Sequence, residues 1–389
     1  MKKVLVIFVL VFSFLIADLS LPKFYVFASD ESLKINAKSA YLIDYNSGEV
    51  MFSYKENEKL PVASIVKLMT ILLTLENLRD EKITLDDVVA ASGHAAGMGG
   101  SQVFIDAGGN YKIGDMLKSV IVSSANDASV VLSETIAGSE ENFVALMNKR
   151  AQELGLSGTN YVNCTGLPAA NQFSTAKDVA KLLKEVTKYD TYHKYSTIWM
   201  DKLIHAGGRE SELVNTNKLI RYYNGCDGGK TGSTDEAGYC LAATAKRGEL
   251  RLIGVVLGAA SGKERFAETS DLLNYGFNNF ENKKIVSAKD EIANEVKILG
   301  GVEKSVKAAC KEDIYKLSKK GEGKNYTTKT ELIGSIKAPV KQGDVIGKIY
   351  VIKDEVVVAE QDIVSLVDVR RATIIDNIMN VIDNWSISK

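Results

Sequence analysis

The stretch Pro61–Leu78, PVASIVKLMTILLTLENL, constrains this chain more than any other. From Ile65 onward, Val66, Leu68, Met69, Ile71, Leu72, Leu73 and Leu75 cover most of a helix circumference. A helix that is apolar nearly all round is buried, not laid on a surface. Yet Ser64 stands at its N-terminus, and Lys67 follows three residues later, one turn on and on the same face. An ammonium is costly to bury without a partner or a task, and desolvation lowers its pKa toward the range where lysine takes a proton from serine. The helix N-terminus adds free backbone N–H groups and a positive dipole end beside the serine oxygen. A nucleophile can be built this way without histidine. A plainer reading makes Ser64 an N-cap and lets Lys67 snorkel to solvent. S-x-x-K alone fits both, so the rest of the chain has to choose.

At 389 residues the chain has room for two or three domains and a sizeable core, and its 46% hydrophobic and 25% charged content is ordinary for a globular protein. A formal net charge of −1 gives no support for nucleic-acid binding. The N-terminus reads as a secretory signal, with Lys2 and Lys3 ahead of an apolar run from Val4 to Ile16 that is too short to span a bilayer comfortably. Cleavage fits after Ala28, and Ala17 is a second candidate. The remainder is expected to work outside the cytoplasm. Four cysteines are too few for a disulfide framework, and Cys164, Cys226, Cys240 and Cys310 are expected as buried free thiols, although Cys226 and Cys240 could meet across a hairpin. The three histidines are scattered and no C-x-x-C or H-E-x-x-H occurs, so no metal or other cofactor is expected.

Residues 40–54 read as two strands joined at Asn46-Ser47-Gly48, leading directly into the Ser64 helix. Residues 83–113 read as loops with short elements, and helical spacing returns from Ile113 to Ala137, broken at 123–127. Amphipathic helices follow from Glu140 to Leu154 and from Thr175 to Val186, the latter with a capping threonine. Strands at 238–245 and 251–257 and a helix at 264–277 close the segment. Strands at both ends with helices between predict an α+β domain, residues 29–280, after a leader of residues 1–28. Residues 281–370 read as a small antiparallel β-domain. In residues 371–389, Ile374, Ile375, Ile378, Val381, Ile382 and Trp385 share one helix face. Three partners fit that stripe: a membrane surface, the β-domain, or another copy of the chain.

Two further motifs bear on Ser64. Ser124-Ala125-Asn126 interrupts the apolar helical region about sixty residues later. A second hydroxyl near a lysine can relay its proton, and the Asn126 amide can hold a substrate carbonyl; an N-cap is the structural alternative. Gly228-Gly229-Lys230-Thr231-Gly232 places a lysine and a hydroxyl among flexible glycines, a combination suited to a carboxylate. It is not a P-loop, because Asn224 stands where the first glycine is needed and a strand follows instead of a helix.

S-x-x-K, S-x-N and K-T-G in that order form the set found in serine β-lactamases and penicillin-binding proteins. The chain resembles a low-molecular-mass penicillin-binding protein of the D-alanyl-D-alanine carboxypeptidase type. The likeness runs through PVASIVKLMT, VSSANDAS, GLPAANQFSTAKDVAKL and DGGKTGSTDEAGYCLAATA. It implies the catalytic α+β fold of that family, and an acyl-enzyme on Ser64 formed at the bond between two D-alanines of a peptidoglycan stem peptide. It further implies Lys67 as general base, Ser124 as proton relay, Asn126 on the substrate backbone, and Lys230 and Thr231 on the terminal carboxylate. Gly232 completes the motif, the N–H groups of Ser64 and Ser233 form the oxyanion hole, and β-lactams acylate Ser64. An arginine upstream of K-T-G in some relatives has no counterpart at Asn215-Thr216-Asn217-Lys218. The rivals are a β-lactamase and a non-catalytic sensing or wall-binding module. The first should show a deacylating glutamate, the second transmembrane helices or a degenerate motif, and none of these features is found.

Overall fold

The computed structural model describes residues 33–288, 290–322 and 325–379; the leader assigned to 1–28 and positions 380–389 lie outside them. The described chain forms two compact units. The first runs to Ala245 and includes Leu252–Leu273; the second holds Lys246–Arg251 and the residues from Asn274 on.

The first unit is built on a five-stranded sheet. Strands β1 (Ser39–Asp44) and β2 (Val50–Tyr54) form the expected hairpin, whose turn is tied by Asp44 accepting from Ser47 N (2.6 Å) and Ser47 Oγ (2.7 Å). Two ribbons lie outside the main sheet: β3 (Val88–Ala90) with β4 (Asn110–Lys112), and β5 (Met200–Ile204) with β6 (Glu210–Val214). The chain returns to the sheet through β7 (Cys226–Thr234), β8 (Gly238–Arg247) and β9 (Leu250–Ala259), in the order β2-β1-β9-β8-β7. β7 is therefore an edge strand.

Helix α1 (Lys67–Arg79) is buried from Lys67 to Leu75, as its all-round apolar sequence requires. Around it lie α2 (Ile113–Ser123), α3 (Asn126–Ala137), α4 (Glu140–Glu153) and α5 (Ala176–Val186), while α6 (Gly262–Asn279) sets Leu272 and Leu273 against Gly254 of β9. Ser139 caps α4 and Thr175 caps α5, each accepting from a backbone N–H three residues on. The break expected at 123–127 is real but is not an N-cap: Ser124 ends α2 in the left-handed region (φ 63°), and no side chain caps α3.

Two elements differ from the sequence reading. The ribbon β5–β6 was not anticipated, and Lys230-Thr231-Gly232 is not a loop ahead of a strand but lies inside β7. Its glycines, aspartate and lysine give that segment little β-preference, and pairing with β8 imposes the extended backbone. All four cysteines are free and buried; Gly232 is the partner of Cys240 and Ala245 that of Cys226, so no bridge forms across β7 and β8.

The second unit is all-β. It contains β10 (Phe280–Val286), β11 (Glu291–Leu299), β12 (Ser305–Cys310), β13 (Ile314–Lys319), β14 (Thr327–Leu332), β15 (Ser335–Lys337), β16 (Val345–Lys353) and β17 (Val356–Ser365). Six strands form one sheet in the order β14-β16-β17-β12-β11-β15, and β10 pairs with β13. The sheet is not purely antiparallel as expected, because β15 runs parallel to β11. Val306, Ile346, Val351 and Ile363 are among the side chains that fill its core. Residues 374–379 are helical, with Ile374, Ile375 and Ile378 exposed, while Arg370 is paired with Asp376; the rest of the expected tail helix lies outside the described residues.

Candidate active site

Ser64 lies in a single 3-10 turn, Ala63–Val66, that leads straight into α1. The residue before it, Ala63, takes a positive φ of 49°, a conformation that costs an alanine about 1 kcal/mol. Lys67 does not snorkel: it is fully buried, and its Nζ donates to Ser64 Oγ at 3.0 Å and to the Thr165 carbonyl. Burial pushes the Lys67 ammonium down to about 7, against the opposing pull of Cys164 and Asp127. The first motif therefore holds a lysine that is half neutral near physiological pH, within hydrogen-bonding reach of a hydroxyl.

Both later motifs converge on that pair. Lys230, 1% exposed, donates to Ser124 Oγ at 2.7 Å and to its neighbour's carbonyl, Thr231 O, at 2.9 Å. Its pKa is lowered well below the usual lysine value, first by burial and then by the positive charges of Lys67 and Arg265. Asn126 opens α3, and its Nδ2 donates to Gly99 O at 2.7 Å while its buried Oδ1 has no partner among the described residues. That leaves one amide acceptor for a ligand N–H.

Two glycines set the close approach. A Cβ on Gly232 would stand 2.6 Å from Val62 O and 3.0 Å from Ser64 N, so β7 lies directly against the backbone of the serine turn. A Cβ on Gly166, whose φ is +82°, would stand 2.1 Å from Ala63 O. Only glycine fits between these backbones. Thr231 is buried beside Lys230, and Ser233, one residue beyond Gly232, is exposed.

Four contributors were not singled out from the sequence. Thr165 supplies a carbonyl to Lys67, and its loop is fixed by Asn163 Oδ1, which accepts from Gly166 N at 2.7 Å. Gly166 makes the approach to Ala63 just described. The buried Asp127 carboxylate accepts from Val103 N (3.0 Å), Ile105 N (3.3 Å) and Ala128 N (2.8 Å), fixing the loop that faces Asn126. Arg265 of α6 donates to Gly232 O at 3.2 Å, with its Nε buried and unpartnered among the described residues. It brings a guanidinium to the K-T-G strand from downstream, where the upstream segment 215–218 brings none. Asn217 instead braces β7, donating to Gly228 O at 3.2 Å. Asp127 lies next to a motif residue; for the others, only the fold reveals the proximity.

A hydroxyl beside a buried lysine, a second hydroxyl held by a second lysine, and a strand edge packed on both define a serine acyl-transfer site. Residues 26–261 match the family described as D-alanyl-D-alanine carboxypeptidase, and residues 280–371 match the penicillin-binding protein 5 C-terminal domain. The D-alanyl-D-alanine carboxypeptidase DacF of Bacillus subtilis is 40% identical over 351 residues, 90% of each chain. DacC of Escherichia coli is 34% identical over 338 residues, 83% of this chain and 82% of that one. The crystal structure of penicillin-binding protein 5 from Haemophilus influenzae superposes with a TM-score of 0.71 at 32% identity, over 88% of this chain and all of that one. The chain belongs to the D-alanyl-D-alanine carboxypeptidase family, the low-molecular-mass penicillin-binding proteins. It is a serine-type hydrolase that removes the terminal D-alanine of peptidoglycan stem peptides; an acyl-serine intermediate and covalent penicillin binding are general in this family. Among the described residues no helix is long and apolar enough to cross a membrane.

Proposed function

We propose that Ser64 is the nucleophile of this carboxypeptidase and Lys67 its general base. The observation that carries the assignment is the 3.0 Å contact between Lys67 Nζ and Ser64 Oγ, made by a fully buried lysine with a pKa near 7. Neutral Lys67 takes the Ser64 proton as Oγ attacks the carbonyl between the two D-alanines. The oxyanion receives the backbone N–H groups of Ser64 and Ser233, each donor worth about 3 kcal/mol in comparable sites. Collapse breaks the C–N bond; Ser124, held by Lys230, gives its proton to the departing amine and receives in turn the one that Lys67 took from Ser64. Lys230 and Thr231 bind the terminal carboxylate, with Arg265 adding positive charge at Gly232, and the free Asn126 Oδ1 accepts a substrate amide N–H. Water then cleaves the ester and restores Ser64. A β-lactam acylates the same oxygen.

We further propose that residues 1–28 direct export, so that the enzyme works at the outer face of the cytoplasmic membrane. Residues 29–280 form the catalytic domain and 281–370 the β-domain. The exposed Ile374, Ile375 and Ile378 favour a peripheral membrane contact for the tail at 371–389.

Intact-protein mass spectrometry of residues 29–389 with penicillin, followed over an hour, tests the site. A persistent adduct mapping to Ser64, with D-Ala released from a D-Ala-D-Ala peptide in the untreated sample, is expected. An adduct on another residue, or none, would remove Ser64 from its role.

A further inference from the structure

The carbonyl that holds Lys67 belongs to residues 163–166, a segment with no helix or strand of its own, so its direction has to be set from outside. That direction matters for the chemistry. A neutral lysine amine carries two N–H bonds and one lone pair. With one N–H on Thr165 O, the lone pair is free to face Ser64 Oγ, and a carbonyl turned elsewhere takes the amine with it.

Two helices clamp the segment. From α1, Thr70 stands one turn beyond Lys67, and its Oγ1 donates to Cys164 O at 2.8 Å. From α4, the first residue, Glu140, accepts from Cys164 N at 3.0 Å through Oε1. Cys164 is fully buried, so its N–H has no water to turn to. Both polar groups of Cys164 are thus fixed, and the next peptide delivers Thr165 O to Lys67. Helix α4 is a firm base for this contact. Ser139 caps it, and Phe143, Met147 and Ala151 bury its inner face. Farther along it, Asn148 donates to Tyr161 O at 2.8 Å and accepts from Tyr161 N at 2.9 Å, holding the same stretch of chain a second time.

The second carboxylate oxygen of Glu140 lies 3.0 Å from Nε2 of His94, which is exposed. A pair at such exposure contributes little, so the oxygen on Cys164 is the one that matters. We propose that Glu140 is a positioning residue for acylation: through Cys164 it aims the Thr165 carbonyl, and with it the Lys67 amine, at Ser64. It acts by its reach and its acceptor oxygen, not by its charge. The proposal rests on the assignment of Lys67 as the base.

Stopped-flow penicillin acylation of the full chain tests it, because the drug-binding constant and the acylation rate are read separately. Glu140→Asp keeps the charge but is one carbon shorter. Its acylation rate should fall about tenfold, with binding of the drug unchanged. Glu140→Gln keeps the length and the acceptor oxygen but not the charge, and it should stay within about twofold of wild type, as should His94→Ala. A role through charge would reverse the order of the Asp and Gln variants and overturn the proposal. Asn148→Ala loosens the segment at Tyr161 and should lower the melting temperature without slowing acylation. If it slows acylation as much as Glu140→Asp does, Glu140 is only one of several supports of the fold and the proposal fails. Wild-type acylation in Glu140→Asp would overturn it as well. Lys67→Met, run alongside, separates the two assignments: if that variant still acylates, the base itself is misassigned, whatever the Glu140 variants do.

Discussion

The Ser124 hydroxyl is bonded to Lys230 at 2.7 Å, which ties the second serine of the site to the lysine of the third motif. Lys67 makes its own bond to Ser64. Two serine–lysine pairs thus sit in one site, and Ser124 stands where it can pass on a proton. Ser124→Ala should remove the donor to the leaving amine and leave Lys230 with only Thr231 O, its remaining bond. D-Ala release should fall by about 100-fold, the lower range for loss of a general acid. Near-normal kcat/KM in this variant would show that the amine takes its proton elsewhere.

Lys67 sets the acid side of the pH profile. Burial lowers its pKa to about 7, so the neutral base is the major form above that pH and is lost about tenfold per unit below it. The rate of penicillin acylation, measured under conditions where chemistry is limiting, should climb with pH through a midpoint near 7 and then level. A midpoint near 10, the value of a solvated lysine, would rule out the buried amine as the base.

The same shift makes Lys67 a burden on the fold. Its folded pKa lies below its unfolded value, so the unfolded chain binds more protons between about pH 7 and 10.5, and stability rises with pH across that window. Below 7 the cost of burying the charge is fully present; above 10.5 it is gone. Lys67→Met should abolish acylation and raise stability by roughly 1–4 kcal/mol at pH 6. The difference in melting temperature between variant and wild type should shrink steadily toward pH 10. A constant difference across that range would mean that Lys67 carries no folded-state pKa shift.

How much of this was legible depends on the kind of signal each part leaves. Helices α1, α4 and α5 and the β1–β2 hairpin announce themselves because their apolar periodicity and caps are local properties. The ribbon β5–β6 and the motif strand β7 do not, because polar and glycine-rich strands become strands only by pairing with a partner far along the chain. The site divides in the same way. Ser64, Lys67, Ser124, Asn126 and Lys230 stand in short motifs, and the fold brings all five together. Thr165 contributes a carbonyl, which any residue carries. Gly166 matters because a Cβ there would stand 2.1 Å from Ala63 O, a proximity that no sequence spacing displays. Arg265 reaches Gly232 from 33 residues downstream, on a helix that the sequence marks only as closing the segment.

Asp127 joins structure to chemistry. Its carboxylate fixes the loop at 103–105 from the start of α3, and the same loop region supplies Gly99 O and Ser101 O to the side chain and backbone of Asn126. It also raises the Lys67 pKa through its negative charge, partly offsetting the effect of burial. Asp127→Ala strands buried N–H groups and should cost roughly 2–4 kcal/mol of stability. Asp127→Asn keeps the shape and one acceptor oxygen but removes the charge, so it separates the two roles. Without that charge Lys67 has less support for its protonated form, and the acylation midpoint should move to the acid side of the wild-type value. Stopped-flow acylation of Asp127→Asn across pH 5–9 reads the shift directly. An unmoved midpoint in a folded variant would confine Asp127 to holding the loop.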